Sequence, residues 1–256
     1  MKASLIESAE VIDVKKLTGS IFLLIANSPQ IAEIITPGQF CNIKVNDNNS
    51  PLLRRPFSIC DVDGPNVYFM FDLHGEGTKI LSQKKTGDKI SILGPLGNGF
   101  SLDENVDKFI LVGGGLGIAP FPYLIKKMNF KIKHDIYLGA RNIDFITDYG
   151  LSNLHISSDD GSIGFKGTVI ELLEKNISSF KNSKVKFIGC GPTPMLKALK
   201  IFCNKYNFDC DISTESAMAC GFGICQGCPI EKAKPDGNYL LVCKDGPVFN
   251  INEIQL

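Results

Sequence analysis

Tryptophan is absent from this chain, and histidine occurs only as His74, His134 and His155. Histidines so far apart make no local histidine metal motif. Neither sign of charge dominates: Lys+Arg and Asp+Glu number 27 each. No basic face is implied, which argues against nucleic acid as a partner. No uninterrupted apolar run approaches the roughly 18 residues that span a bilayer. The acidic residues Glu7 and Glu10 stand where a secretory signal would carry its apolar stretch. A cytoplasmic protein is therefore expected, with no membrane partner. Internal repeats and low-complexity tracts are missing too.

What is present is a chain of 256 residues, 44% of them hydrophobic, enough for two ordinary domains and a small appendage. The nine cysteines are unevenly spread: four crowd into residues 220–243, while Cys41, Cys60, Cys190, Cys203 and Cys210 are scattered. A disulfide scaffold is shorter and more evenly stapled. One dense group points to a metal site.

The chain changes rhythm along its length. Residues 1–101 are β-rich, with short runs at Ser20–Asn27, Gln39–Val45, Val67–Leu73 and Lys89–Leu93. Turn signals such as Asp63-Gly64-Pro65-Asn66 and Gly94-Pro95 separate them, which predicts an antiparallel barrel or sandwich. In Gln39–Val45, Cys41, Ile43 and Val45 alternate onto one face. Over residues 102–210 strands alternate with helices, the mark of a parallel sheet. Lys108–Val112, His134–Gly139 and Lys184–Ile188 read as strands. Thr168 and Glu171 form a capping box, and Met195, Leu199, Phe202 and Tyr206 make a helical stripe. Residues 211–256 are rich in glycine and cysteine and too short for a core of their own.

The cysteine block has the spacing C-x(4)-C-x(2)-C-x(14)-C over Cys220, Cys225, Cys228 and Cys243. The first three follow the plant-type 2Fe–2S pattern, and Gly221, Gly223 and Gly227 let the loop wrap closely. The competing site is zinc, whose ribbons favour paired C-x(2)-C knuckles; one such pair is present here.

Three further motifs suit anions and rings. Arg55 of Arg55-Pro56-Phe57-Ser58 can meet a pyrophosphate with two hydrogen bonds, and Phe57 can cover a ring. Gly77 and Thr78 can offer N–H groups at a helix start. Gly113-Gly114-Gly115-Leu116-Gly117-Ile118-Ala119-Pro120 follows a buried strand and opens a helix, the context of a phosphate-cradling loop. Cys190-Gly191-Pro192 ends a later strand, where a thiol can lie against a nicotinamide ring. Each has a plainer reading as well: loop, turn, strand-to-helix packing, or a small buried thiol.

In this order the motifs resemble the ferredoxin–NADP reductase superfamily. With Glu215 to Cys228 and Val242 to Phe249, and with Asp160-Gly161-Ser162 and Gly164, Lys166 and Gly167, the chain resembles electron-transfer subunits of B-type dihydroorotate dehydrogenase. The resemblance implies an FAD-binding β-barrel (1–101), an NAD-binding α/β domain (102–210) and a small 2Fe–2S domain (211–256). It implies FAD contacts from Arg55, Pro56, Phe57, Ser58, Met70, Phe71, Asp72, Gly77 and Thr78. Nucleotide contacts would come from Gly113, Gly114, Gly115, Gly117 and Cys190, and iron ligands from the four cysteines. The partner it implies carries FMN and oxidises dihydroorotate in pyrimidine synthesis, in a heterotetramer of two subunits of each kind, with NAD as acceptor.

Two positions depart from that pattern. Phe57 stands where tyrosine is common, and Asp72 where arginine is common. Asp72 cannot pair with a phosphate, so contacts from Met70, Phe71 and Asp72 are expected through backbone or packing. Arg141, after the second nucleotide strand, is placed to meet a 2′-phosphate, although a surface arginine is the commoner case. Other expectations fit parts of the pattern: the NAD(P)H-binding subunit of a sulfhydrogenase or of a ferredoxin–NADP transhydrogenase, and a non-catalytic cluster-bearing sensor or scaffold.

Overall fold

The computed structural model describes residues 4–48, 50–102, 105–128, 133–181, 183–235 and 237–256. Its first unit is a sheet of seven antiparallel strands. They are β1 (Leu5–Thr18), β2 (Ile21–Asn27), β3 (Phe40–Lys44), β4 (Arg55–Ser58), β5 (Asp61–Asp63), β6 (Asn66–Asp72) and β7 (Lys89–Leu96). Two short helices interrupt them, α1 (Pro29–Ile34) and α2 (Glu76–Ser82). The strand order is β4-β3-β7-β1-β2-β6-β5. The stretch joining β4 to β5 brings the two edges together: Ile59 N–H donates to Gln39 and Cys60 N–H to Tyr68. One continuous stretch of chain thus pairs with both β3 and β6, which curls the sheet into a barrel.

Alternation fills the barrel. Val67, Phe69 and Phe71 point inward with Cys41, Ile43 and Val45, as the period of two requires. One sequence expectation is revised here. β7 does not stop at Leu93 but runs through Gly94-Pro95 to Leu96. A register shift between Phe40 and Asn42 on β3 accommodates the proline, which lacks an N–H for the ladder. β3 and its extension to Val45 carry Cys41, Ile43 and Val45 on one face as expected, and Phe40 and Asn42 on the other face are buried too.

The second unit is a parallel sheet with one antiparallel edge. Its strands are β8 (Lys108–Gly114), β9 (Lys133–Ala140), β10 (Leu154–Ser158), β11 (Phe165–Lys166), β12 (Val185–Cys190) and β13 (Asp209–Ser213). Helices α3 (Phe121–Lys127), α4 (Val169–Lys175) and α5 (Thr193–Tyr206) connect them. The capping box is made as expected: Thr168 Oγ1 accepts from Glu171 N–H at 3.2 Å, and Glu171 Oε2 from Thr168 N–H at 2.7 Å. On α5, Leu196, Leu199, Phe202 and Cys203 face the core.

The remaining strands are β14 (Pro229–Glu231), β15 (Tyr239–Leu241) and β16 (Val248–Asn250). β14 and β15 pair as a small hairpin, and β16 joins β13 antiparallel. Segment 211–256 is thus tied into the nucleotide sheet at both ends, and Cys228, Val242, Cys243 and Phe249 share one apolar cluster with Ile110, Phe187 and Phe202. This supplies the core that the segment cannot form alone.

The order β11-β10-β9-β8-β12-β13-β16 locates the ligand crevice. The chain steps outward from β8 to β11, then returns to place β12 on the other side of β8. Ligands of such sheets bind at that reversal, beyond the carboxyl ends of the strands. The barrel is seated against this end. Ile21, Leu23, Cys60 and Met70 pack with Phe109, Leu111, Ile118 and Phe121, and Tyr123 of α3 donates to the Ile35 carbonyl at 3.1 Å.

Candidate functional site

A cavity of about 670 Å³ opens between the barrel and the crevice, a size suited to a cofactor. Its barrel wall is Arg55, Pro56, Phe57 and Ser58 of β4, Met70, Phe71 and Asp72 of β6, and Thr78 of α2. Its opposite wall is the two turns at the ends of β8 and β12, with Gly114, Gly117, Cys190 and Gly191. Eleven of the fourteen residues singled out in the sequence for FAD and NAD line this one space.

The other three support it. A Cβ at Gly77 would lie 2.5 Å from Arg55 Nε; the missing side chain lets the Arg55 side chain cross the first turn of α2. The Arg55 guanidinium donates to the Leu53 carbonyl. Gly113 is packed under Ile118 and Phe121, so the plainer strand-to-helix reading applies to it. Gly115 has φ +53° and open space around it. Gly117 is the tightest: a Cβ there would sit 2.1 Å from the Cys190 carbonyl oxygen, so the two turns touch only because it has none.

Polar groups inside the cavity are set by burial. Thr78 is occupied as a cap, its hydroxyl oxygen accepting from the His74 and Gly75 N–H groups. Phe57 tilts onto Phe69 and Phe71, with centroids at 6.5 and 5.9 Å. Asp72 Oδ1 is buried with no hydrogen-bond partner among the described residues, an acceptor that a donor group of a ligand would satisfy. Burial pushes the Cys190 thiol up to about 12, Glu215 adding to the effect and a Ser213 hydrogen bond opposing it. Cys190 is therefore a neutral thiol, a soft surface rather than a thiolate nucleophile. Burial also raises the Glu215 carboxyl above its ordinary range. Arg141 is exposed and does not line the cavity.

The cysteine segment grows out of the cavity wall. Ser213 to Met218 line the cavity on the way in and Pro247 on the way out. Met218 stands two residues before Cys220, so their Cα atoms are at most about 7 Å apart. The sulfurs fall into two pairs. Cys228 and Cys243 are buried with Sγ atoms 3.2 Å apart, and Cys225 N–H donates to Cys220 Sγ at 3.4 Å. Among the described residues, no three His, Cys, Asp or Glu side chains gather around a single point.

Two pairs suit two irons better than one tetrahedral zinc, which needs four ligands on one ion. Partial burial opposes ionisation of Cys220, but the N–H groups of Cys225 and Phe222, the Cys225 side chain and the Ile224 N–H pull its thiol down to about 6. Such N–H groups are what iron-bound sulfur requires. Burial with Cys228 alongside pushes Cys243 up to about 12.

Comparison with known proteins agrees with this geometry. Residues 215–255 match the model of the iron–sulfur cluster binding domain of dihydroorotate dehydrogenase B. The electron transfer subunit of dihydroorotate dehydrogenase B (NAD(+)) from Caldanaerobacter subterraneus subsp. tengcongensis is 41% identical over 222 residues, 85% of this chain and 86% of the relative. That from Bacillus pumilus is 36% identical over 256 residues, 96% of each chain. The chain belongs to this family.

Solved structures agree on the architecture of this electron-transfer subunit. The NADH-dependent reduced ferredoxin–NADP oxidoreductase superposes with TM-score 0.85 at 28% identity, over 97% of this chain and 90% of that one. A ferredoxin–NADP⁺ reductase from Neisseria gonorrhoeae with bound FAD and NADP gives 0.66 at 16% identity, over 78% of this chain and 91% of that one. The second likeness shows the fold alone: a ferredoxin–NADP reductase-like barrel and nucleotide sheet.

Several residues of the electron-transfer subunit's cavity escape the sequence reading. Ser213, Thr214 and Glu215 line it from the end of β13, and Phe40, His74 and Met218 line it as well. Glu215 and Met218 were visible only as part of the cysteine motif. Ser213 carried no local signal, because the strand Asp209–Ser213 whose carboxyl end joins the crevice is broken by two aspartates in sequence.

Proposed function

We propose that this subunit carries electrons from the FMN of a dihydroorotate-oxidising partner, through a 2Fe–2S cluster and FAD, to NAD⁺, in pyrimidine synthesis in the cytoplasm. The observation that carries the reading is the single cavity: the flavin motifs, both nucleotide turns and the approach to the cysteines all meet there. When bound, the flavin links one-electron transfer at the cluster to two-electron transfer at the nicotinamide.

The chain's own residues supply position. Arg55, steadied over Gly77, would meet the FAD pyrophosphate with two hydrogen bonds, and Pro56, Phe57 and Ser58 would support its ring. Met70 and Phe71 would pack on it, while the unpaired Asp72 oxygen would accept from one of its N–H or O–H donors. The backbone of Gly114, Gly115 and Gly117 would hold the NAD phosphates at the crevice, with Gly113 packed beneath them. Cys190, neutral and buried, would give the nicotinamide a soft surface. Cys220 with Cys225, and Cys228 with Cys243, would each ligate one iron. The exposed Cys225 and Ile224 (76% exposed) would face the partner, in an assembly of two subunits of each kind.

A transhydrogenase role is the alternative that the TM-score of 0.85 with a ferredoxin–NADP oxidoreductase favours. The greater identity to dihydroorotate dehydrogenase B subunits weighs against it. The test is to isolate the native complex, identify both chains and assay iron, labile sulfide and flavin. A catalytic chain with FMN, two irons with two sulfides per subunit, and FAD are expected. Zinc, absence of flavin, or a hydrogenase partner would contradict the reading.

A further inference from the structure

The buried second face of β3 has no role in filling the barrel. Phe40 on that face lines the cavity and packs in the same apolar cluster as Cys228 and Cys243. Two residues on, Asn42 is fully buried. Its Nδ2 donates to the Cys220 carbonyl at a long 3.5 Å, and its Oδ1 is buried without a hydrogen-bond partner among the described residues. Gly221, at φ +82°, presses so close that a Cβ there would come within 2.1 Å of Asn42 Nδ2. Arg54 fixes the strand behind it, donating to the carbonyls of Asn42 (3.4 Å) and Ser91 (2.7 Å).

The far lip of the cysteine segment is held the same way. Asn98 Nδ2 donates to the carbonyls of Asp245 at 2.9 Å and Lys244 at 3.3 Å, and its N–H donates to Gly246 at 2.6 Å. A groove of about 200 Å³ lies between the two contacts, with Leu96 and Asn98 on one side and Gly221, Phe222 and Cys243 on the other.

A half-satisfied buried amide is destabilising, and an apolar residue of the same shape would avoid that cost. What the amide adds is direction. The peptide after Cys220 is planar and trans, so pinning its carbonyl to β3 turns the Gly221 N–H to the opposite side, away from the barrel. Hydrogen bonds to the sulfurs are one of the protein's controls over an iron–sulfur centre. We propose that Asn42 is a positioning residue for the iron–sulfur site, orienting the Cys220–Gly221 peptide, with Asn98 fixing the other lip relative to the flavin cavity. The inference rests on the four cysteines being the iron ligands.

The test uses the full-length chain carrying its flavin and cluster. Asn42→Leu, Asn42→Asp and Asn98→Ala are compared with the wild type. The readouts are the electron paramagnetic resonance spectrum after dithionite reduction, the cluster midpoint potential, and the half-time of iron loss to a chelator. Asn42→Leu is expected to shift the spectrum and the potential and to shorten the half-time several-fold. Asn42→Asp, of the same shape but setting an acceptor against the Cys220 carbonyl, is expected to shift all three further. Asn98→Ala, at an exposed position, is expected to shorten the half-time. If Asn42→Leu does not fold, Asn42→Asp decides. A wild-type spectrum and potential in the Asn42 variants overturn the inference. A wild type without iron and sulfide overturns the ligand reading instead.

Discussion

Gly117→Ala tests whether the two turns at the sheet reversal must touch. The added Cβ would lie 2.1 Å from the Cys190 oxygen, 2.5 Å from its carbonyl carbon and 2.7 Å from Gly191 Cα. Ordinary contact needs about 3.5 Å, and all three obstacles are backbone, so the turns must part by about an ångström. Overpacking of this kind costs about 1–3 kcal/mol, which for a chain of this size lowers the thermal midpoint by about 2–12 °C. The functional loss should be larger. Cys190 and Gly117 both line the cavity, and a misplacement of about 1 Å can cost on the order of a hundredfold in rate. The assay is NADH oxidation with an artificial two-electron acceptor, alongside thermal unfolding of the same preparation. A variant with an unchanged midpoint and unchanged NADH kinetics would refute the close contact.

Cys225→Ser should abolish the reddish-brown visible band and electron transfer to the partner, leaving some NADH oxidation by two-electron acceptors; a retained band would contradict the ligand set. Arg55→Ala should lower the FAD bound per chain, read from the flavin absorbance of the purified protein, and full occupancy would remove Arg55 from the site. Glu7 accepts from Ser28 Oγ (2.5 Å) and Ile31 N–H (3.3 Å) at the start of α1. Glu7→Ala should therefore cost about 1 kcal/mol in denaturant unfolding.

Glu215 gives a pH test. Burial raises its carboxyl, so the folded chain holds that proton more tightly than the unfolded one. Its stabilising contribution is fully present below the unfolded value, about 4.3, and is lost as pH rises through the folded value. Glu215→Gln, which stays neutral, should gain thermal midpoint over the wild type as pH rises above that point, and parallel melting curves would contradict this.

The fold was legible where one face of each element meets water or a turn interrupts it. The shift from β to α/β near residue 107, the capping box at Thr168 and the glycine turns after β8 and β12 all carry local signals, and the structure has them. The 14-residue β1 was hidden because its residues lack a steady alternation. β13 was hidden because Asp209-Cys210-Asp211 breaks its apolar run, and Asp211 is acceptable inside through pairing with Lys186 across the sheet (2.7 Å) and a hydrogen bond from Asn250 (3.3 Å). For the site, Arg55, Thr78 and the four cysteines announce themselves by residue type and spacing. The meeting of β6, the two turns and Ser213 to Met218 in one cavity depends on how the barrel docks, which no local pattern encodes. Asn42 was invisible for the same reason, since a polar residue in an alternating strand reads as solvent-facing until another segment covers it.

The most direct measurement mixes the purified subunit with the proposed FMN-carrying partner, dihydroorotate and NAD⁺ under anaerobic conditions and follows NADH formation. NADH should form only when both chains are present and this one holds its iron, sulfide and FAD. NADH formation by the partner alone, or by a pair in which this chain carries no cluster, would contradict the account.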